Sequence, residues 1–483
     1  ATVNSTTDAG ITASWAVTSN VALSATINPD FSQVEADARQ LDINEPFALY
    51  FDEKRPFFLE GKDYFSSPLV RAIYTRTLRD PAWGAKTAGR EGADAFGAFV
   101  VQDDITNIMF PGSQSSSGTS LSTSALASVV RYTHDVGNRY TLGALATSRE
   151  ADGYFNRVFG IDGELRLSDS DRLMLQLVGS ATRYPGDVAV QFSQPEGELR
   201  DRAFDVTYLH SGRNFEWWAS TENYGTDFRA DLGYVPKVDY RAYKGAFGYN
   251  WRPEGEQATW YSHIELEGTY QYEEDQRGNL LNDRADIFAL YEGPLQSVAT
   301  ARLYQARIGY NSEQFDVIYF GTYTGFRPIA DLWVGLDTSF GDKIDYVNTR
   351  LGSRVRFQPE LSWRIGDHVS VGLDYQYERL KVDSEELYRA AISQGTFSYQ
   401  LNIRAMLRLI MQHVNYRYNP EMYTVDVPFK QSSFFSQLLF SYKINPRTML
   451  FVGYSDNYFG INEISLTQSN RTLFAKVGYA WQL

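Results

Sequence analysis

The side chains able to do acid–base work are few and scattered. His134, His210, His263, His368 and His413 are far apart in the chain, and there is no cysteine. No His-Glu-x-x-His, Gly-x-Ser-x-Gly or phosphate-loop spacing brings a base to a nucleophile or to a metal. Asp30, Glu35 and Asp37 could supply oxygen ligands, but their spacing is not that of a calcium loop. No enzyme, no cofactor and no metal site are therefore expected. The charged residues that do follow a rule are those at alternate positions of extended segments. These are Glu265 and Glu267, then Arg354, Arg356 and Arg364, then Asp374. At that spacing they line one face of a strand, where they would form a charge network toward water.

The segments that carry them alternate strictly. From Leu351 to Ile365 one face reads Leu351, Val355, Phe357, Pro359, Leu361, Trp363 and Ile365, and the other Gly352, Arg354, Arg356, Gln358, Glu360, Ser362 and Arg364. After a tight Gly366-Asp367 turn, Val369, Val371, Leu373, Tyr375 and Tyr377 oppose His368, Ser370, Gly372, Asp374, Gln376 and Glu378. From Trp260 to Tyr272 the same pattern sets Ile264, Leu266 and Tyr270 against His263, Glu265 and Glu267. A strand crossing a bilayer needs ~9–11 residues, and these segments are long enough. A soluble sandwich also alternates, but long strands in series with aromatics near their ends favour a membrane barrel.

Composition agrees. Aromatic residues make up 15% of the chain, with 33 Tyr and 30 Phe, as where Tyr and Trp girdle a bilayer. No apolar run approaches the ~18 residues of a membrane helix, and only helices and closed barrels satisfy every backbone group in lipid. The net charge of −14 argues against nucleic acid as a partner. The 483 residues read as one all-β domain, 1–483, a transmembrane antiparallel β-barrel of the outer-membrane type. About 24 strands can be placed, within a range of 22–26, one of them at 69–77, and an even number would put both ends on the periplasmic side. Short turns such as 168–171, 212–214 and 445–447 alternate with longer connections at 103–123, 183–200, 224–237, 419–431 and 458–469. The Ser/Gly run 112–124 reads as a mobile outer loop.

The last strand ends in a pattern that resembles the signal read by the barrel-assembly machinery. Lys476, Gly478, Trp481 and Leu483 fill its positions, with Leu483 where Phe is usual. Such a signal offers an edge strand as a template until the sheet closes.

Residues 29–68 break the alternation, and forty residues without a strand are long for a connection. The run Asn28-Pro29-Asp30-Phe31, with Glu35 and Asp37, is followed by Glu53, Arg55, Pro56, Phe57, Phe58, Glu60 and Gly61. Acids alternate here with an apolar cluster. The expectation is a plug-like segment folded into the lumen, its apolar side packed on itself and its acids paired with wall arginines such as Arg354, Arg356 and Arg364. The competing reading is a solvated outer loop.

Those two runs, the Tyr74-Thr-Arg76 and Trp83-Gly-Ala-Lys86 pair, the Leu232-Gly-Tyr-Val-Pro236 turn and the ending Asn445-Pro-Arg-Thr448, Gly453-Tyr-Ser-Asp456, Arg471-Thr-Leu-Phe474 carry a family resemblance. Over essentially the whole chain the sequence resembles the C-terminal outer-membrane β-barrel domain of unknown function 5916. In that family the barrel usually follows a periplasmic module similar to family 9 carbohydrate-binding modules, and residues 1–483 read as the barrel part alone. The resemblance implies a fold and a bacterial outer-membrane location rather than an activity. Two functions compete. One is a transport or secretion channel gated by 29–68. The other is an anchor or scaffold that binds a polysaccharide or protein partner through its loops or a periplasmic module. Either would have outer-membrane lipid, lipopolysaccharide and the barrel-assembly machinery as partners.

Overall fold

The computed structural model describes residues 10–29, 37–253, 260–445, 448–462 and 465–479. It contains 25 strands, of which 23 form one sheet. Each strand of that sheet pairs antiparallel with the next, from Ile11–Ala16 and Val21–Ile27 through Pro81–Glu91 and Asp94–Asp103 to Thr448–Ile461 and Thr467–Tyr479. The other two, Thr106–Pro111 and Ser116–Leu121, form a separate hairpin. Among the described residues no helix is long and apolar enough to cross a membrane.

The strand alternation read from the sequence is the alternation of the sheet's two faces. Phe159, Phe247, Leu266, Tyr270, Ile318, Phe340 and Leu373 are exposed on one face. Asp162, Gln176, Asp205, Glu273, Asp286 and Glu378 are buried on the other. A soluble protein would bury the first set and expose the second, so the polarity is that of a wall between lipid and a polar interior. Pro359 sits within Arg350–Ile365, and the pairing with Val369–Val382 is interrupted beside it, between Phe357 and Glu360. Proline has no N–H to give the ladder, so the chain places the gap there.

At one end of the sheet nearly every connection is short: 17–20, 92–93, 137–139, 167–170, 212–214, 330–331, 366–368 and 403–404. The connection 252–262 is the exception. The opposite end carries the long ones, 28–80, 104–124, 184–197, 225–239 and 419–429. Short turns mark the periplasmic end and long loops the outer end. The last strand, Thr467–Tyr479, runs toward the short-turn end.

Three expectations are corrected. Residues 69–77 are not a wall strand. Val70 and Ala72 alternate as a strand would, but they are fully buried inside, and Thr75–Thr77 is a 3-10 turn. Period two marks an extended chain; it does not say that a wall neighbour exists. The Ser/Gly run is half of a paired hairpin, whose other strand anchors through Ile108 and Phe110 against Tyr154, Tyr184 and Val188. Backbone pairing tolerates Ser and Gly when the partner strand supplies the apolar contacts. Finally, 23 consecutive antiparallel strands make the first and last run in the same direction, not opposite ones. Among the described residues no pairing joins these two.

Candidate functional site

The connection between Val21–Ile27 and Pro81–Glu91 is folded against the polar face of the sheet. Its contacts reach strands that lie far apart in the sheet order. The Gln412 amide on Ala405–Tyr418 donates to the carbonyl of Asp37 at 2.9 Å. Asp37 is ion-paired with Arg76. Four residues on, the backbone N–H of Asp80 donates to Asp103 at 2.6 Å, on Asp94–Asp103. A flat sheet would hold those two wall strands, sixteen apart in order, about 77 Å from each other. The sheet therefore wraps round this segment.

On one side the segment docks by apolar contact. Pro56 opens a short helix, Pro56–Leu59, where its missing N–H costs nothing. Phe57, Phe58 and Phe65 are buried with Leu78, Ala88, Phe99, Val101, Ala127, Val129 and Leu232. The apolar side packs on itself where the Phe57 and Phe58 rings meet, 5.0 Å apart, and also on the inner wall, because strands such as Asp94–Asp103 carry apolar residues on the inner face as well. The approach is close. A Cβ on Gly97 would lie 2.8 Å from the Phe65 ring. Gly61 turns the chain at φ 68°. Two of the runs that carry the resemblance meet here: the N–H of Tyr74 donates to Leu232 O at 2.6 Å, and that of Tyr234 to Arg71 O at 2.9 Å.

Buried charges fix the geometry. Lys86, 4% exposed on the wall, donates to the carbonyl of Phe57 and, at 2.5 Å, to that of Glu60. Glu60's carboxylate accepts from Ser24 Oγ at 3.1 Å. Glu53 accepts from Arg55 Nε at 2.8 Å and Nη2 at 2.6 Å, and from Thr75 Oγ1 at 2.6 Å. Burial by itself would raise the Glu53 pKa. The Arg55 guanidinium beside it and the hydrogen bonds from Arg55 and Thr75 outweigh that, and the carboxyl sits below its ordinary value. Arg55 also donates to Leu78 O and Thr75 O. Arg131 holds Asp162 with two bonds of 2.6 and 2.7 Å and reaches Ser66 O at 3.2 Å. Arg149 and Asp103, both fully buried, pair at 2.9 Å.

On the far side Ile43 is buried against Leu380, Leu387, Tyr388 and Val414 of the wall, and polar contacts flank it. Asn44 donates to Ile344 O at 2.8 Å, Glu45 pairs with Lys343 at 2.8 Å, and Tyr416 donates to Asp42 at 2.7 Å. The expected arginine partners are therefore replaced. Arg354 lies 3.9 Å from Glu378 and bonds Ser339, and Arg356 bonds Gln358. Arg364 is exposed at the short-turn end of its strand, too far along it to face the segment. The acids take lysine and tyrosine at the outer end instead, because the segment enters from there. Glu265 and Glu267 are half-buried on the inner face, and Asp374 lies opposite Glu360, which accepts from Tyr323 and Trp333. These residues keep a half-exposed polar surface on the inner wall, bordered by Gln376, which donates to Arg39 O of the segment at 3.5 Å.

Of the residues marked by sequence, Asn28 and Pro29 are described at the start of the connection, Asn28 at φ 45° with its N–H on Ala82 O. Asp30, Phe31, Glu35, Trp481 and Leu483 lie outside the described residues. Lys476 and Gly478 pair opposite Phe451 and Met449 in the last strand. Sequence reasoning gave no role to Lys86, Arg131, Arg149, Gln176 or Gln412. Their signal was a charged or amide residue at the inward parity of a strand, beside apolar or small side chains on the same face.

A family sequence model covers the part of the chain that holds this segment. Residues 1–78 match the domain of unknown function DUF5916. The resemblance is thus borne out over the DUF5916 region, not over the whole chain. No curated protein matches the sequence. Among solved structures, the copper transporter OprC aligns with a TM-score of 0.51 at 11% identity, over 83% of this chain and 77% of its own. The siderophore receptor PirA from Pseudomonas aeruginosa aligns at 0.48 and 8% identity, over 78% and 79%. The ferric yersiniabactin uptake receptor FyuA from Yersinia pestis aligns at 0.40 and 10%, over 83% and 70%. The fold is that of an integral outer-membrane β-barrel.

Proposed function

We propose that this chain is a closed outer-membrane barrel acting as a transport or secretion channel, with residues 29–68 as an inward-folded plug that sets its passage. The reading includes no catalytic step. Its support is the span of the segment's contacts, from Lys86 on one wall to Gln412 and Lys343 on another. A solvated outer loop would not bury Phe57, Phe58 and Phe65 or leave its acids on wall partners. The half-exposed polar wall around Glu265, Glu267, Glu360 and Asp374 is where solute would pass. Acids there would favour cations or neutral polar solutes over anions.

The test is planar-bilayer conductance of the folded protein with and without residues 37–68. Deletion is expected to raise conductance severalfold. A barrel that folds and stays silent after the deletion would sink the channel and leave the anchor or scaffold reading, in which the outer loops bind a protein or polysaccharide.

A further inference from the structure

We propose that the lipid-facing surface of strands Tyr154–Arg166, Asp171–Arg183 and Glu198–Ser211 carries a site for the phosphorylated headgroup of lipopolysaccharide. The inference rests on the outer-membrane reading and on the orientation set by loop length. Arg157, Arg183, Arg200 and Arg202 are all exposed, and all lie at the long-loop ends of these strands. The register brings them together. Ala181 pairs with Arg157 on one side and Arg200 on the other. Gly179, in the next row inward, pairs with Phe159 and Arg202. Small residues in the middle strand leave a floor between flanking arginines. Arg183 stands one row outward, opposite Phe155 and Glu198.

Two carboxylates share the patch. Arg157 bonds Glu150 at 2.8 Å and Arg200 bonds Glu198 at 2.8 Å. Among the described residues the side chains of Arg183 and Arg202 have no carboxylate partner of their own within ion-pair distance, and Arg183 lies over the Phe155 ring at 5.5 Å. Four cations against two anions leave a local positive excess on a chain whose net charge is −14. Immediately toward the membrane centre lies a shallow groove of about 810 Å³, floored by Phe159, Ile161, Leu177, Gly179 and Ala181. An anionic head above an apolar groove is the shape of a phosphorylated lipid with its acyl chains. At the outer end of the barrel that lipid is lipopolysaccharide, whose phosphates take arginine as a bidentate donor.

The test is native mass spectrometry of the detergent-purified full chain titrated with lipid A, dephosphorylated lipid A and phosphatidylglycerol. Heat-modifiable gel migration confirms that each variant is folded. Lipid A is expected to bind best. Arg183→Gln with Arg202→Gln is expected to weaken it about 25-fold, at about fivefold for each arginine near a charged lipid surface. Arg307→Gln removes an exposed arginine near the long-loop end of Ser297–Tyr310 that is already paired with Asp316, and should change nothing. Glu150→Gln with Glu198→Gln should tighten binding, which keeps the test decisive if the arginine variants fail to fold. Equal binding of the phosphorylated and dephosphorylated lipid overturns the site. So does a preference for phosphatidylglycerol. A protein that stays soluble and monomeric without detergent refutes the membrane reading itself, a distinct failure.

Discussion

Replacing Lys86 by Met separates docking of the segment from folding of the wall. Methionine keeps the apolar stem and removes only the ammonium. Two charge-assisted bonds then vanish, to the carbonyls of Phe57 and Glu60, near the end of the short helix Pro56–Leu59. Each such bond contributes about 1.5–3 kcal/mol. Relief from burying a charge at 4% exposure offsets part of the loss. A net cost of about 2–3 kcal/mol remains, which is about 30- to 160-fold in the ratio of docked to released segment. The strand itself is unaffected, because its pairing with Val21–Ile27 and Asp94–Asp103 uses only backbone. In planar bilayers the open probability of Lys86→Met should rise by that factor at neutral pH. Trypsin added from the long-loop side should cut at Lys54 and Lys62 correspondingly faster. A folded Lys86→Met barrel that differs from the parent by less than about threefold in both measurements would refute the claim that Lys86 clamps the segment.

Acidification should release the same segment by another route. The Glu53 carboxyl is below its ordinary value of 4.5 when folded, so its contribution is complete above that value and is lost as pH falls through the folded pKa. Amide protection factors across 53–78 should therefore drop as pH falls below 4.5, and Glu53→Gln should flatten that dependence while loosening the segment at neutral pH. Gly97→Ala should force the Phe65 ring aside, at about 1–3 kcal/mol of overpacking, and raise conductance without changing gel migration of the folded barrel. Removing Trp481–Leu483 should leave the chain unassembled in the periplasm; normal surface delivery of that truncation would rule out the assembly signal.

Much of the wall was legible because its signal is local. Leu351–Ile365 and Val369–Tyr377 show their two faces by parity alone, and the Gly366 turn between them has φ 59°. Residues 69–77 misled for the same reason: Val70 and Ala72 alternate, but what they meet is Gln176 and the 232–234 turn. Within the candidate site, Phe57, Phe58 and the Glu53–Arg55 pair could be picked out because they crowd into one run.

What the amino-acid sequence determined by itself is the alternation, hence which face meets lipid, and the breakdown of that alternation over 29–68. These depend on neighbours two residues apart. Only the tertiary structure decided that Glu45 meets Lys343 rather than an arginine, that Asp37 meets Gln412, and that Lys86 holds Phe57. The first two partners lie about three hundred residues or more away along the chain. Nothing in a strand's period states how far round the sheet it will stand. That position is set by the accumulated register of every strand between, and the charges meet where the curved wall brings them.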